Sequence, residues 1–327
     1  MVSFFAKRIG ALLLTMLVVS FLVFLSFEFS PTDVARSALG PYATEDQLDR
    51  YREQHGLERP FLARYVAWLG VGPDHEGNFA GLLQGNLGYS NYSHAQVNDF
   101  IWGKLGNTTI LAFTAFAIIA PLSILLGVAA GMREGSLLDR LISVFSTITT
   151  SVPEFATGAV LMTIFATPTV LAVVLLPGTA ELDTGGGWSI ASQLVLPVAT
   201  LTTFYLGYLV RMVRASMVEV MTRPYVRTAV LKGLSFREVV VKHAMRNALI
   251  TPFTAILMQL NFLFTSVVVV EAVFAVPGFG RMIVDAALNN DVATVEAGTL
   301  FAVFIVVTSQ IIGDFSYMLL NPRIRFS

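Results

Sequence analysis

The stretch Leu141–Ala180, LISVFSTITTSVPEFATGAVLMTIFATPTVLAVVLLPGTA, is apolar throughout except for Glu154. As one straight helix it would reach about 60 Å, nearly twice the roughly 30 Å hydrocarbon core of a bilayer. It reads either as one crossing with extra structure or as two, and the number of spans in the chain turns on which. The flanking charges decide. Arg211–Arg246 carries Arg211, Arg214, Arg223, Arg227, Lys232, Arg237, Lys242 and Arg246 against only Glu219 and Glu238, which places it on the cytoplasmic side. Met132–Arg140, with Arg133 and Arg140, belongs there too. An even number of crossings must lie between them, and Trp188–Val210 is one, so Leu141–Ala180 crosses once. The loop holding Glu181 and Asp183, which has no Lys or Arg, then falls outside.

The rest of the chain agrees with a lipid solvent. Of its 327 residues 55% are hydrophobic and only 13% charged, against roughly 25% charged in soluble domains. Ile9–Phe27, Asn107–Met132 and Asn247–Val270 are free of charge, and Ala297–Leu320 holds only Asp314. The expected fold class is all-α integral membrane, with six transmembrane helices and both termini cytoplasmic: Lys7 and Arg8 at one end, Arg323 and Arg325 at the other. The first span is too long for a signal peptide and reads as a signal anchor. The expected organisation is a cytoplasmic N-terminus and first span (1–29), a long exterior segment (30–106), a core of spans two to six (107–321) containing a cytoplasmic loop (211–246) between helices 4 and 5, and a cytoplasmic tail (322–327). A net charge of −1, with basic residues spread over several loops, argues against nucleic acid. The absence of cysteine excludes disulfides and thiolate chemistry.

Residues 30–106 are too many for a simple connector. Thr44 and Gln47 form a capping-box pattern, Gly56 is a helix stop, and Pro60 suits the start of a second helix with Phe61, Tyr65, Trp68 and Leu69 on one face. This element either packs on the membrane and the body of the protein or docks an extracytoplasmic partner.

Residues 222–252, TRPYVRTAVLKGLSFREVVVKHAMRNALITP, are the most informative part of the chain. Pro224 opens a short helix, Gly233 closes it in the left-handed conformation, and Ser235 with Glu238 starts another at once. Two short helices angled around Gly233 between two spans form a stiff knob, able to transmit displacement from a soluble partner; on residues alone, an ordinary basic loop fits as well. After the fifth span, Pro277, Gly278 and Gly280 predict a tight exterior turn with unusual dihedrals, followed by a short helix over Arg281–Leu288. Glu271 is expected at the exterior end of its span, within reach of water.

No catalytic chemistry emerges. His55, His75, His94 and His243 lack the spacing of a metal site, and no phosphate-binding GxxxxGK[ST] loop is present. Only Glu154 and Asp314 come near the membrane interior, which speaks for coupling to an external motor over proton or sodium coupling. Gly127 and Gly131 form a GxxxG pair that reads as internal helix packing.

The pattern of Tyr225, Arg227, Thr228, Ala229, Gly233 and Leu234 resembles the coupling loop by which permeases of ATP-binding-cassette importers seat in their ATPase subunit. Arg227 stands where that loop's first acid would be, and Pro252 lies further from the glycine than in the general pattern; both departures are usual in the dipeptide and oligopeptide branch. KRIGALLLTMLVVSFLVF, GLERP, GNLGYS, SVPEF, EAVFAVPGFGRMIVDA (Glu271–Ala286) and NPRIR, in that order, are similar to that branch over nearly the whole chain. The long segment after the first span resembles the first of its two permeases. The resemblance implies a non-enzymatic transport subunit for di- or oligopeptides in the bacterial inner membrane. Its implied partners are a second homologous permease, two cytoplasmic ATPases that bind ATP and magnesium, and a solute-binding protein outside. Nickel chelates, glycosides or opine-like solutes are the alternative cargo, and a stand-alone secondary transporter is the rival class.

Overall fold

The computed structural model describes residues 2–29, 34–182 and 188–320. Asp183, the side chain of Asp314 and the tail that carries Arg323 and Arg325 lie outside the described residues. The helices are α1 (Val2–Glu28), α2 (Val34–Leu39), α3 (Glu45–Gln54) and α4 (Phe61–Leu69). A two-residue-wide hairpin follows, β1 (Tyr89–Ser90) antiparallel to β2 (Ala95–Gln96), with Tyr89 opposite Gln96. Then come α5 (Val97–Gly131), α6 (Leu137–Ser151), α7 (Glu154–Phe165), α8 (Pro168–Leu171), α9 (Ile190–Met221), α10 (Pro224–Leu231) and α11 (Phe236–Glu238). A π-helical stretch, Val239–Ala244, leads into α12 (Met245–Ala248), α13 (Ile250–Val273), α14 (Phe279–Leu288) and α15 (Val292–Leu320).

Five helices are each long and apolar enough to span a membrane: α1, α5, α9, α13 and α15. The sixth span is broken. Its two legs, α6 and α7, meet at 107°, and at 1.5 Å per residue they reach only about 22 and 18 Å. The bend falls where Pro153, lacking an N–H, forces Val152 into an extended conformation at ψ 128°. The surplus apolar length then returns as irregular chain in which four amides find acceptors: Leu175 and Leu176 donate to Phe165 O, Ala180 to Phe274 O at 2.9 Å, and Leu182 to Gln193 Oε1 at 2.7 Å. Non-helical backbone is tolerated at membrane depth only on such terms.

Two compact units make up the chain, Met1–Gly106 with Gly278–Thr308, and Asn107–Pro277 with Ser309–Ser327. In the first, Phe21 and Phe24 of α1 meet Phe61 and Tyr65 of α4 edge-on at 5.4 to 5.7 Å, and Ser20 Oγ bonds Tyr65 OH at 2.8 Å. The capping box of Thr44 and Gln47 opens α3, and Gly56 takes a positive φ just after it. Leu87, Val97, Ile101, Phe279, Met282 and Ala297 form this unit's core.

In the second unit α9 is the central post, with 67% of its spanning window buried against 6% for α1. Leu201, Tyr205 and Leu209 of α9 pack with Leu111 and Ala115 of α5 and with Leu263, Val267 and Val270 of α13. A Cβ on Gly127 would come within 2.4 Å of Val213 Cβ, and one on Gly131 within 2.5 Å of Met217 Cβ, so the GxxxG pair serves the α5–α9 contact inside the chain. Leu13, Leu14, Leu125 and Phe262 are each more than 60% exposed. Side chains of that kind facing outward along spanning helices are solvated by lipid.

Candidate functional site

The segment after α9 is built to project. α9 ends at Thr222, Pro224 occupies the first position of α10, and Gly233 stops the helix with φ +80°. The Ser235 hydroxyl accepts from Glu238 N–H while the Glu238 carboxylate accepts from Ser235 N–H, so α11 starts three residues after the stop. The Glu238 carboxylate is held below its ordinary range, first by the Ser235 hydroxyl and then by Lys242. The knob is tied down on both sides. Val226 and Ala229 of α10 are buried with Val213 and Met217 of α9 and with Val239, Val240, Ala244 and Ala248 beyond the elbow. Ser216 Oγ donates to Ala248 O at 2.6 Å, and Asn247 Nδ2 to the Tyr225 hydroxyl at 3.0 Å. Below it, the Arg214 guanidinium of α9 pairs with the buried carboxylate of Asp139 at the start of α6.

The residues singled out in the sequence divide over this frame. Tyr225, Arg227, Thr228, Gly233 and Leu234 lie on its exposed side, whereas Ala229 is 6% exposed and seats α10 on the base. The tip also carries Val230, Leu231 and Phe236, 54%, 81% and 48% exposed. Sequence reading passed over these three; the signal was clearest at Leu231, which stands about 140° around α10 from the buried Val226. Exposed Arg227, Lys232 and Arg237 surround them. An apolar tip in a basic rim is the anatomy of a docking surface. The π-helical turn at Val239–Ala244, a form that concentrates at functional sites, was not foreseen.

The turn after α13 departs from expectation. Glu271 is completely buried and accepts from the Thr108 hydroxyl, so it is not at the water boundary. α13 runs on through Val273 and closes over it, with Val276 N–H returning to Glu271 O at 3.0 Å. The left-handed residue of the turn is Ala275 (φ +56°), whereas Gly278 has φ −92° as the cap of α14 and Gly280 lies inside that helix. Pro277 O accepts from Asn107 Nδ2 at 3.0 Å. Further along the spans, the Tyr205 hydroxyl of α9 donates to Ser266 Oγ of α13 at 2.6 Å.

Comparison with known proteins converges on one assignment. Residues 123–326 match the family model described as binding-protein-dependent transport system inner membrane component, and residues 1–112 match its N-terminal companion. The "Probable peptide ABC transporter permease protein y4tP" of Sinorhizobium fredii is 31% identical over 321 residues, covering 98% of each chain. The di/tripeptide transport system permease protein DppB of Pseudomonas aeruginosa is 32% identical over 343 residues, 99% of each. A crystal structure of an amino acid ABC transporter superposes with a TM-score of 0.53 at 11% identity, over 67% of this chain and 94% of the other, a likeness of fold.

Proposed function

This chain belongs to the binding-protein-dependent transport system inner membrane component family, and we propose that it is the first of two permeases in an ATP-driven importer of di- or oligopeptides. The observation that carries the reading is the knob of residues 222–252, a braced elbow with an exposed apolar tip in a basic rim. A basic loop that served only to orient the chain would need neither a buried base nor an apolar tip.

In this reading both termini and the knob face the cytoplasm, and 30–106 faces the periplasm. A cytoplasmic ATPase receives Leu231, Leu234 and Phe236, with Tyr225, Arg227 and Thr228 around them; ATP and magnesium are bound there, not in this chain. Closure of two such ATPases displaces the knobs of this permease and its homologous partner. Because Val226 and Ala229 are locked onto α9, and Ser216 onto Ala248, the displacement passes to α9 and α13 as a rigid movement. A solute-binding protein outside the membrane delivers cargo. Peptide cargo is supported by the relatives, a probable peptide permease and a di/tripeptide permease.

The test is reconstitution of the chain with its companion permease, ATPases and binding protein in proteoliposomes. ATP-dependent uptake of a labelled dipeptide that is lost when either ATPase is omitted supports the reading. Uptake by this chain alone would refute it.

A further inference from the structure

The first unit contains a cavity of about 320 Å³ that the transport reading leaves unused. It lies between the end of α1, helices α3 and α4, the β1–β2 hairpin and the first turn of α15, all within one unit. A volume near 300 Å³ is at the small end of ligand sites, enough for a compact organic solute or a lipid headgroup.

The charges on its wall are accounted for except one. Arg64 pairs with Glu28 and also donates to Arg59 O at 3.1 Å. Arg59 donates to Pro73 O at 3.1 Å, and Asp74 accepts the N–H groups of Glu76 and Asn78 at 2.9 and 2.8 Å. Glu296, on the first turns of α15, is 4% exposed and lines the cavity, and among the described residues no ion pair or hydrogen bond reaches its carboxylate. A buried carboxylate without a partner calls for an explanation. Nearby Asp291 adds to the negative character: one oxygen takes the Ser90 and Thr294 hydroxyls and the other has no partner.

Aromatic rings line part of the remaining wall. Phe24 and Trp68 lie with ring centroids 5.8 Å apart, and Tyr51 stacks on His55 at 3.9 Å. His55 and His75, far from each other in the sequence, meet at this one cavity, yet among the described residues no group of three metal-binding side chains forms. Aromatic faces around an unanswered carboxylate suit an organic cation, which a ring quadrupole attracts and a carboxylate neutralises. We infer that this cavity binds a small ligand through its ammonium group, which the Glu296 carboxylate receives, with the ligand's apolar part against Phe24 and Trp68. Two sources carry that chemistry, a free amino-terminated solute and the ethanolamine headgroup of a phospholipid, the latter within reach because α1 and α15 are spanning helices.

The experiment uses the full chain in detergent for the first source and in nanodiscs for the second. Alanyl-alanine and N-acetyl-alanyl-alanine, which differ in the ammonium, are titrated by calorimetry. Phosphatidylethanolamine and phosphatidylglycerol nanodiscs are compared by the lipid retained in native mass spectrometry. The inference expects a preference of about tenfold or more for the amine in one arm, with the arm identifying the source, and its loss in Glu296→Gln. Equal binding of acetylated and free dipeptide together with equal retention of the two lipids overturns it, and that comparison uses the unmutated chain alone. An amine preference that survives Glu296→Gln overturns it as well.

Discussion

Replacing Gly233 by valine should disable the knob without disturbing the rest of the fold. At φ +80° an added Cβ meets no atom within 4 Å, so the substitution creates no clash and its whole effect is backbone strain. For an L-residue that strain is about 1–2 kcal/mol, and a β-branched side chain sits at the upper end. The chain can relieve it by carrying α10 on through residue 233, but this swings Ser235 and Glu238 out of their capping box and turns Leu234 and Phe236 from the tip. A penalty of that size lowers the presenting conformation by about 5- to 30-fold relative to its competitors. Asparagine tolerates the left-handed region far better, so Gly233→Asn should stay within about twofold of the parent. The assay is peptide transported per ATP hydrolysed in proteoliposomes, with expression and membrane insertion measured alongside. Loss of coupling in Gly233→Val with insertion intact and Gly233→Asn preserved is the expected pattern. Full coupling in the valine variant, or equal failure of asparagine and valine, would refute the reasoning.

Three other outcomes follow from the same geometry. Asp139→Ala leaves Arg214 only its looser contact with Glu134 at 4.0 Å and should cost about 3 kcal/mol, the low end for a broken buried pair because Arg214 keeps 27% of its side chain exposed; melting in detergent, with Arg214→Ala and the double variant completing a cycle, measures the coupling. Gly131→Val drives a side chain into Met217 and the Arg214 backbone, and should destabilise by about 1–3 kcal/mol in the same melts. Because the Glu238 carboxyl is depressed in the folded knob, its contribution is complete above the ordinary value of 4.5 and is lost as pH falls through the lower folded value. Amide protection at residues 236–240, corrected for intrinsic rates, should therefore be flat from neutral pH to the top of that window and drop beneath it.

Much of this was legible in the sequence because it is local. Caps and stops depend on residues within one turn of each other, and Thr44 with Gln47, Gly56, Gly233 and Ser235 with Glu238 each take the conformation their types prescribe. Span count was legible too, through length and charge. Direction and partnership were not. Apolar content shows that Leu141–Ala180 is too long, yet the 107° bend at Pro153 depends on how α6 and α7 both pack on α9. Glu271 looked like a boundary carboxylate because charge ends an apolar run; its burial rests on Thr108, a partner from another helix that periodicity cannot assign. The Asp139–Arg214 pair and the gathering of His55, His75 and Glu296 on one cavity are likewise long-range. The positive φ at Ala275, in place of a neighbouring glycine, is a consequence of tertiary context that residue preference opposes.

The central claim is that the exposed tip of the knob sits against a cytoplasmic ATPase. Since the chain has no cysteine, Leu231→Cys introduces a single thiol at the knob's most exposed apolar position. In the assembled complex a short bifunctional reagent should join that thiol to the ATPase subunit, with a yield that changes on ATP binding, and an impermeant thiol reagent added outside intact cells should leave it unlabelled. Labelling from outside, with no crosslink to the ATPase, would contradict the account.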